Sequence, residues 1–281
     1  MSTKGFFDFH LHTHASDGCL SPNELVQHLV SYQVKIAAIT DHDTIDGVRA
    51  LLSHPHEQGL EMVPGIEVST LWQQKEVHVL IYQFDLPPIN DTFLADLSRR
   101  REERMQKMLY LFQKTGFNIA QTDLPPSSAP GRWHLATALT KLGYVRSPTV
   151  ALRRWLQKGR RYYIKLNPVS IHQATTWAKK VRGLCVLAHP HLYFATAQQF
   201  DSAMSQETIP FDGLELLHTT FPPQDYLSWV KIAEKWNLSI TGGSDFHRFK
   251  HHSRVGRGLG GRTLFADDLC GIFLKNPSKY V

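Results

Sequence analysis

Cysteine is scarce in this 281-residue chain: Cys19, Cys185 and Cys270 are far apart, odd in number and form no CxxC pair. That excludes a disulfide framework, a thiolate zinc site and dithiol redox chemistry, and it fits a reducing cytoplasm. Long apolar runs are absent as well. No stretch approaches the ~20 residues of a membrane span, and the start, MSTKGFFDFH, lacks the apolar segment and cleavage site of a secretory signal. We therefore expect neither membrane insertion nor secretion. There is no internal repeat, and low complexity is confined to the loop DLPPSSAPG, residues 123–131. With 42% hydrophobic and 20% charged residues, the chain has the composition of a globular protein that buries a core without staples.

Histidine, by contrast, is abundant at 16 residues, several of them beside carboxylates. Charge is unevenly spread. Residues 99–165 carry 15 Lys or Arg against 3 acids, a balance of +12, so the net charge of +6 leaves −6 for the remainder. Such a split suggests a basic segment that meets a polyanion, joined to a body whose carboxylates hold cations. The plainer alternative for Arg99 to Lys114 is the solvated face of an amphipathic helix.

Seven short β-rich runs recur outside the basic segment: residues 5–10, 34–40, 61–68, 76–84, 183–189, 213–217 and 238–241. Most precede a helical pattern. The first helix is marked by Ser21 as cap, Pro22 at its first position and Glu24 completing a capping box, ahead of Leu25, Val26, Leu29 and Val30. Strands alternating with helices imply a mainly parallel sheet, a barrel or a doubly wound layer. Residues 87–165 break the rhythm and read as a helical insertion between residues 1–86 and 166–281.

Metal-type residues collect where the β-rich runs end. His10 and His12 are two apart, so a strand points both imidazoles to one face. Asp17 follows in the turn ASDG. The later ends supply Asp41-His42-Asp43, Glu67, His189 and Asp245-Phe246-His247, and His78 alternates with Val77 and Val79. Each of these histidines taken alone is more often a hydrogen-bonded structural residue. Their confinement to one rim points to a multinuclear metal centre, and in βα barrels the carboxyl ends of strands build the active site. The absence of thiolates and the mix of imidazole with carboxylate suit Mn, Zn or Fe. Asp41 and Asp43 either orient ligand imidazoles or cap the next helix, and His14 is expected to be a spectator.

The ordered segments DFHLHTHASDG, AAITDHDTIDG, VPGIEVST, HVLIY, LAHP and GSDFH resemble the PHP (polymerase and histidinol phosphatase) superfamily. The SDG turn, TDHDT, GRWHLA and LAHPHLY are similar to its bacterial group of RNase AM and 3′,5′-nucleoside bisphosphate phosphatases. The resemblance implies a distorted seven-stranded βα barrel with two to three divalent ions. By motif, His10, His12, Glu67 and Asp245 would hold one ion, Glu67, His78 and His189 a second, and Asp17, His42 and His247 a third. Arg132 and His134 match the group's Arg-x-His and would grip phosphate, with Tyr193 as a further substrate contact. Trp133 is expected in the core. The group's arginine before that tyrosine is Leu192 here, with Lys141, Arg146, Arg160 and Arg161 as candidate substitutes.

Paired cations lower the pKa of a shared water and neutralise the oxygens of a phosphoryl transition state. The implied activity is therefore hydrolysis of a phosphate monoester, either a nucleoside 3′,5′-bisphosphate or the 5′ end of a short 5′-phosphorylated oligonucleotide, by hydroxide held on the ions. Asp17, His42, Glu67, Asp245 and His247 would carry the chemistry. The alternatives are a histidinol-phosphate-type phosphatase and a non-enzymatic nucleic-acid-binding module. No obligate protein partner is evident.

Overall fold

The computed structural model describes residues 6–52 and 59–249. Expectations for Cys270 and for the far end of the barrel, to residue 281, fall outside them. Along the chain run β1 (Phe6–Leu11), α1 (Pro22–Ser31), β2 (Val34–Ile39), α2 (Asp46–Leu52), β3 (Glu61–Trp72) and β4 (Lys75–Tyr82). Next come α3 (Thr92–Lys114), α4 (Arg132–Lys141), α5 (Pro148–Ala151) and a π-helical turn at Leu152–Leu156. The chain then returns to the sheet with β5 (Val169–Ser170), α6 (Ile171–Lys180), β6 (Leu184–Leu187), α7 (Ala197–Gln206), β7 (Gly213–His218), α8 (Tyr226–Lys235) and β8 (Ser239–Gly243).

The strand order is β1-β2-β3-β4-β6-β7-β8, with β5 added beside β3. In β1, Phe7, Phe9 and Leu11 alternate with Asp8 and His10, so one face is apolar and the other carries the polar groups, all buried. The ends of the sheet meet: Leu11 bridges Phe246, and the His12 N–H donates to the Phe246 carbonyl at 3.0 Å. Gly243 permits this closure, since a Cβ there would lie 2.4 Å from the backbone nitrogen of His10. The result is the expected distorted seven-stranded α/β barrel with a mainly helical insertion.

Two features depart from the sequence reading. β3–β4 and β4–β6 pair antiparallel, and β3 and β4 are joined directly as a hairpin. The two-residue strand β5 had no signal of its own. Elsewhere the local chemistry acts as read: Ser21 Oγ accepts from Glu24 N, and Glu24 Oε2 accepts from Ser21 N.

Buried apolar side chains form two groups. One surrounds the sheet, and the other joins Met105, Met108 and Phe112 of α3 to Leu135 and Leu139 of α4 and to Leu156 and Tyr162. The loop before α4 rests on the turn after β1, where Ser127 Oγ and Ser128 N both donate to the Ala15 carbonyl. Cys19 and Cys185 are free thiols. No helix among the described residues is long and apolar enough to cross a membrane.

Candidate metal centre

β1 sends His10 and His12 to the same side, and β3 brings Glu67 beneath them. Glu67 Oε2 lies 3.3 Å from both His10 Nε2 and His12 Nε2 and 2.9 Å from His42 Nδ1. Its other oxygen, Oε1, is 2.7 Å from His78 Nδ1 and 3.1 Å from His189 Nε2. One carboxylate thus faces five imidazoles from four segments of chain. Asp245 Oδ1 is 3.2 Å from His12 Nε2 and 3.4 Å from both His10 Nε2 and His247 Nδ1. Asp17 Oδ1 is 3.1 Å from His247 Nε2 and 3.9 Å from His42 Nε2.

All nine expected ligands therefore converge, although the grouping is less partitioned than the three sets expected. Ligand atoms of His12, Asp17, His42 and His247 fall within one small sphere, those of His10, His12 and Glu67 within another, and His42 joins Glu67 and His78 in a third. His189 and Asp245 reach their positions through left-handed backbone, φ 28° and 53°. Such conformations are costly for non-glycine residues and tend to persist where the surroundings demand a particular side-chain direction.

Electrostatics in this buried cluster is sharply divided. Burial and the neighbouring His247 push His12 down to about 3. For His247, burial is outweighed by Asp17 and Asp245, which lift it to about 9. Burial would raise Glu67, but the surrounding imidazoles hold it well below the ordinary carboxylate range. His10 Nε2, both nitrogens of His12, His42 Nδ1, Asp17 Oδ1 and Glu67 Oε2 are buried and have no hydrogen-bond partner. Buried polar atoms are ordinarily paired, so this many aimed at one space is what divalent cations would satisfy. The donor set fits the group.

Glu215 and His218 lie against the centre and are not picked out by the sequence. Glu215 on β7 takes the His10 Nδ1 at 2.8 Å on one oxygen and the His189 N–H at 2.9 Å on the other, fixing which nitrogen of His10 faces the centre. His218 Nε2 lies 3.5 Å from Asp245 Oδ2. Asp41 neither caps a helix nor touches a ligand imidazole; it accepts from Thr13 N, Thr13 Oγ1 and Ser16 Oγ and so ties the β1 turn to β2. Asp43 accepts from Ser69 N and from Arg101 Nε at 2.6 Å. His14 is exposed.

Over the centre opens a cavity of about 360 Å³, floored by Asp17, His42, His78, Asp245 and His247 and walled by Arg101, Arg104, Arg132 and Arg248. The guanidiniums of Arg104 and Arg132 each lie 5.8 Å from the Tyr163 ring. Burial, with Arg132 and Arg101 nearby, pushes Arg104 down to about 10, a sign of crowded positive charge. None of the four suggested substitutes for the missing arginine lines this wall, and Leu192 is exposed.

One expectation is corrected here. Trp133 lines the cavity instead of the core, with the Arg248 guanidinium 3.4 Å above its ring. His134 is buried, and its Nδ1 accepts the Gly131 N–H at 2.9 Å, which holds the start of α4. Tyr193 Oη accepts the His78 N–H at 3.0 Å, bracing β4 beside the centre.

Comparison with known proteins agrees with this geometry. The PHP-domain family matches residues 8–123. The 5′-3′ exoribonuclease Rnm of Escherichia coli (strain K12) is 30% identical over 260 residues, 90% of this chain and 89% of that protein. The chain belongs to the PHP family. The PHP chain also matches the 3′,5′-nucleoside bisphosphate phosphatase of Chromobacterium violaceum, 26% identical over 85% of this chain and 86% of that one. A solved structure from Bifidobacterium adolescentis, assigned as a metal-dependent phosphoesterase, superposes with a TM-score of 0.76 at 28% identity, covering 93% of each chain. This PHP protein is a hydrolase of phosphate esters, and its imidazole and carboxylate clusters are those of a divalent-metal site.

Proposed function

We propose that this PHP phosphoesterase removes phosphate from nucleoside 3′,5′-bisphosphates and trims 5′-phosphorylated oligonucleotides from the 5′ end. The observation that carries the reading is a cluster of unpartnered buried imidazoles and carboxylates opening directly beneath a wall of arginines. His10, His12, Glu67 and Asp245 would hold one ion, Glu67, His78 and His189 a second, and Asp17, His42 and His247 a third, the ions being Mn, Zn or Fe. When bound, such ions acidify water and neutralise phosphoryl oxygens. Glu67 sets a negative charge before five imidazoles and hydrogen-bonds His78 and His189, Glu215 fixes His10, and Asp17 and Asp245 offset the positive charge of the centre. Arg132 gives a planar, bidentate grip to a phosphate beside the scissile one. Tyr193, its oxygen occupied by His78, has a proton to donate to a phosphate oxygen.

Residues 87–165 act as a cap over the barrel formed by 1–86 and 166–281. A reducing cytoplasm, in which Cys19 and Cys185 stay thiols, is the compartment this reading takes.

The test is turnover with Mn, Zn or Fe of 3′-phosphoadenosine 5′-phosphate and of short 5′-phosphorylated oligonucleotides. Release of phosphate or mononucleotide, lost in Glu67→Gln, is the expected result. Faster turnover of histidinol phosphate would overturn the substrate, and a protein that binds metal and nucleic acid but cleaves no ester would sink the activity.

A further inference from the structure

We infer that the exposed basic loop of residues 153–165 docks the trailing phosphates of a single-stranded nucleic acid whose 5′ end lies in the cavity. This rests on the oligonucleotide part of the proposed function and names the surface that holds the chain beyond its 5′ end. The loop leaves the cavity wall at Leu152 and rejoins it at Tyr163, both lining residues. Its sequence, RRWLQKGRRYYIK, contains no acid, and Arg153, Arg154, Lys158, Arg160, Arg161 and Lys165 are all exposed. Among the described residues only Lys165 has a carboxylate within reach, Glu76 at 3.3 Å. The other five cations repel one another without compensation, and a polyanion relieves that repulsion.

Three further observations suit a single strand. A half-buried ring lies among the cations: the Arg154 guanidinium is 5.1 Å from the Trp155 ring. Together with Tyr163 between Arg104 and Arg132, this pair continues the cation-and-ring lining of the cavity outward, a combination by which proteins track single strands. Arg153 and Arg154 lie on the π-helical turn at Leu152–Leu156, a wide turn found frequently at functional sites. The loop offers no apolar face to a lipid surface, because Leu156 and Tyr162 are buried in the second core. A lone bisphosphate has no use for cations beyond the cavity wall; a longer chain does.

The test compares the wild type with a variant combining R153E, R154E, K158E and R160E, and with the same four positions changed to Gln, which keeps folding and charge effects apart. Binding of a labelled, 5′-phosphorylated oligoadenylate decamer is read by fluorescence anisotropy, and kcat/KM is measured on the decamer and on 3′-phosphoadenosine 5′-phosphate. We expect decamer affinity to fall at least about tenfold, its salt slope to become shallower by about 0.7 for each phosphate no longer neutralised, and the bisphosphate kcat/KM to stay within about twofold. Decamer binding that survives the substitutions, or a parallel fall on the bisphosphate, overturns the inference. So does loss of polyglutamate binding with decamer binding intact, which would make the loop's partner an acidic protein. Anisotropy reads the loop whether or not either compound is cleaved, so absence of cleavage counts only against the proposed function.

Discussion

The floor and the roof of the cavity are built on opposite plans. The floor is made of imidazoles and carboxylates, half-buried to buried, mutually compensating and set at or near strand ends; the roof is made of guanidiniums and rings, most of them from the insertion, with few acids near them. A floor of this kind is complementary to cations, and a roof of this kind to anions. The difference teaches how labour is divided: substitutions in the floor should change the chemical step, whereas those in the roof should change how tightly substrate is held.

The largest effect should therefore come from Glu67→Gln. The amide keeps the volume but removes the charge facing five imidazoles. Turnover should fall about 10³-fold, several kcal/mol of transition-state stabilisation, together with the metal content read by elemental analysis. A variant that keeps its kcat and metals and loses only substrate affinity would assign Glu67 to the roof's kind of role and blur the contrast.

Where floor meets roof, Arg101 of α3 and Asp43 are both almost fully buried, at 7% and 2% exposure, and pair at 2.6 Å. Arg101→Met leaves a buried carboxylate without its partner and should cost about 3–5 kcal/mol, read as a lower denaturation midpoint. Arg132→Ala should leave the midpoint unchanged and raise KM for a bisphosphate about 10- to 100-fold, the loss of a charge-assisted grip, with kcat little altered. If kcat falls and KM does not, the roof takes part in the chemistry and the division is wrong.

The floor was largely legible in the sequence because its ligands sit at the ends of apolar runs, where polar residues stand out. Glu215 was missed because it lies inside one, GLELLH; a single acid in a buried strand needs a partner, and that was the available signal. The roof was poorly legible because RRREER and RRWLQKGRR look alike as strings of residues. Only the fold separates Arg99 and Arg100, which pair with Asp96, and Arg101, which pairs with Asp43, from the uncompensated loop. The β3–β4 hairpin was hidden for a different reason. Its turn is Gln73-Gln74, both left-handed at φ 46° and 64°, a conformation usually signalled by Asn or Gly.

The smallest effect should lie at Asp91, where the roof's long helix leaves the barrel. Asp91 caps α3 through Phe93 N and Leu94 N, and its carboxylate also accepts from Trp177 Nε1 at 3.1 Å and Lys180 Nζ at 3.3 Å. Burial would raise it, but these donors outweigh burial and hold it below the ordinary carboxylate range. A depressed carboxylate stabilises the fold above its unfolded pKa, and the contribution is lost as pH falls through the folded value. Asp91→Asn should thus cost about 1–2 kcal/mol at pH 7, and the gap from wild type should narrow as pH drops below about 4. Denaturation midpoints across that range measure it. Because the site lies far from both walls in function, kcat and KM should hold at temperatures where the variant is folded. A shift in KM alone would mean that the cap's hinge sets the roof's position over the floor.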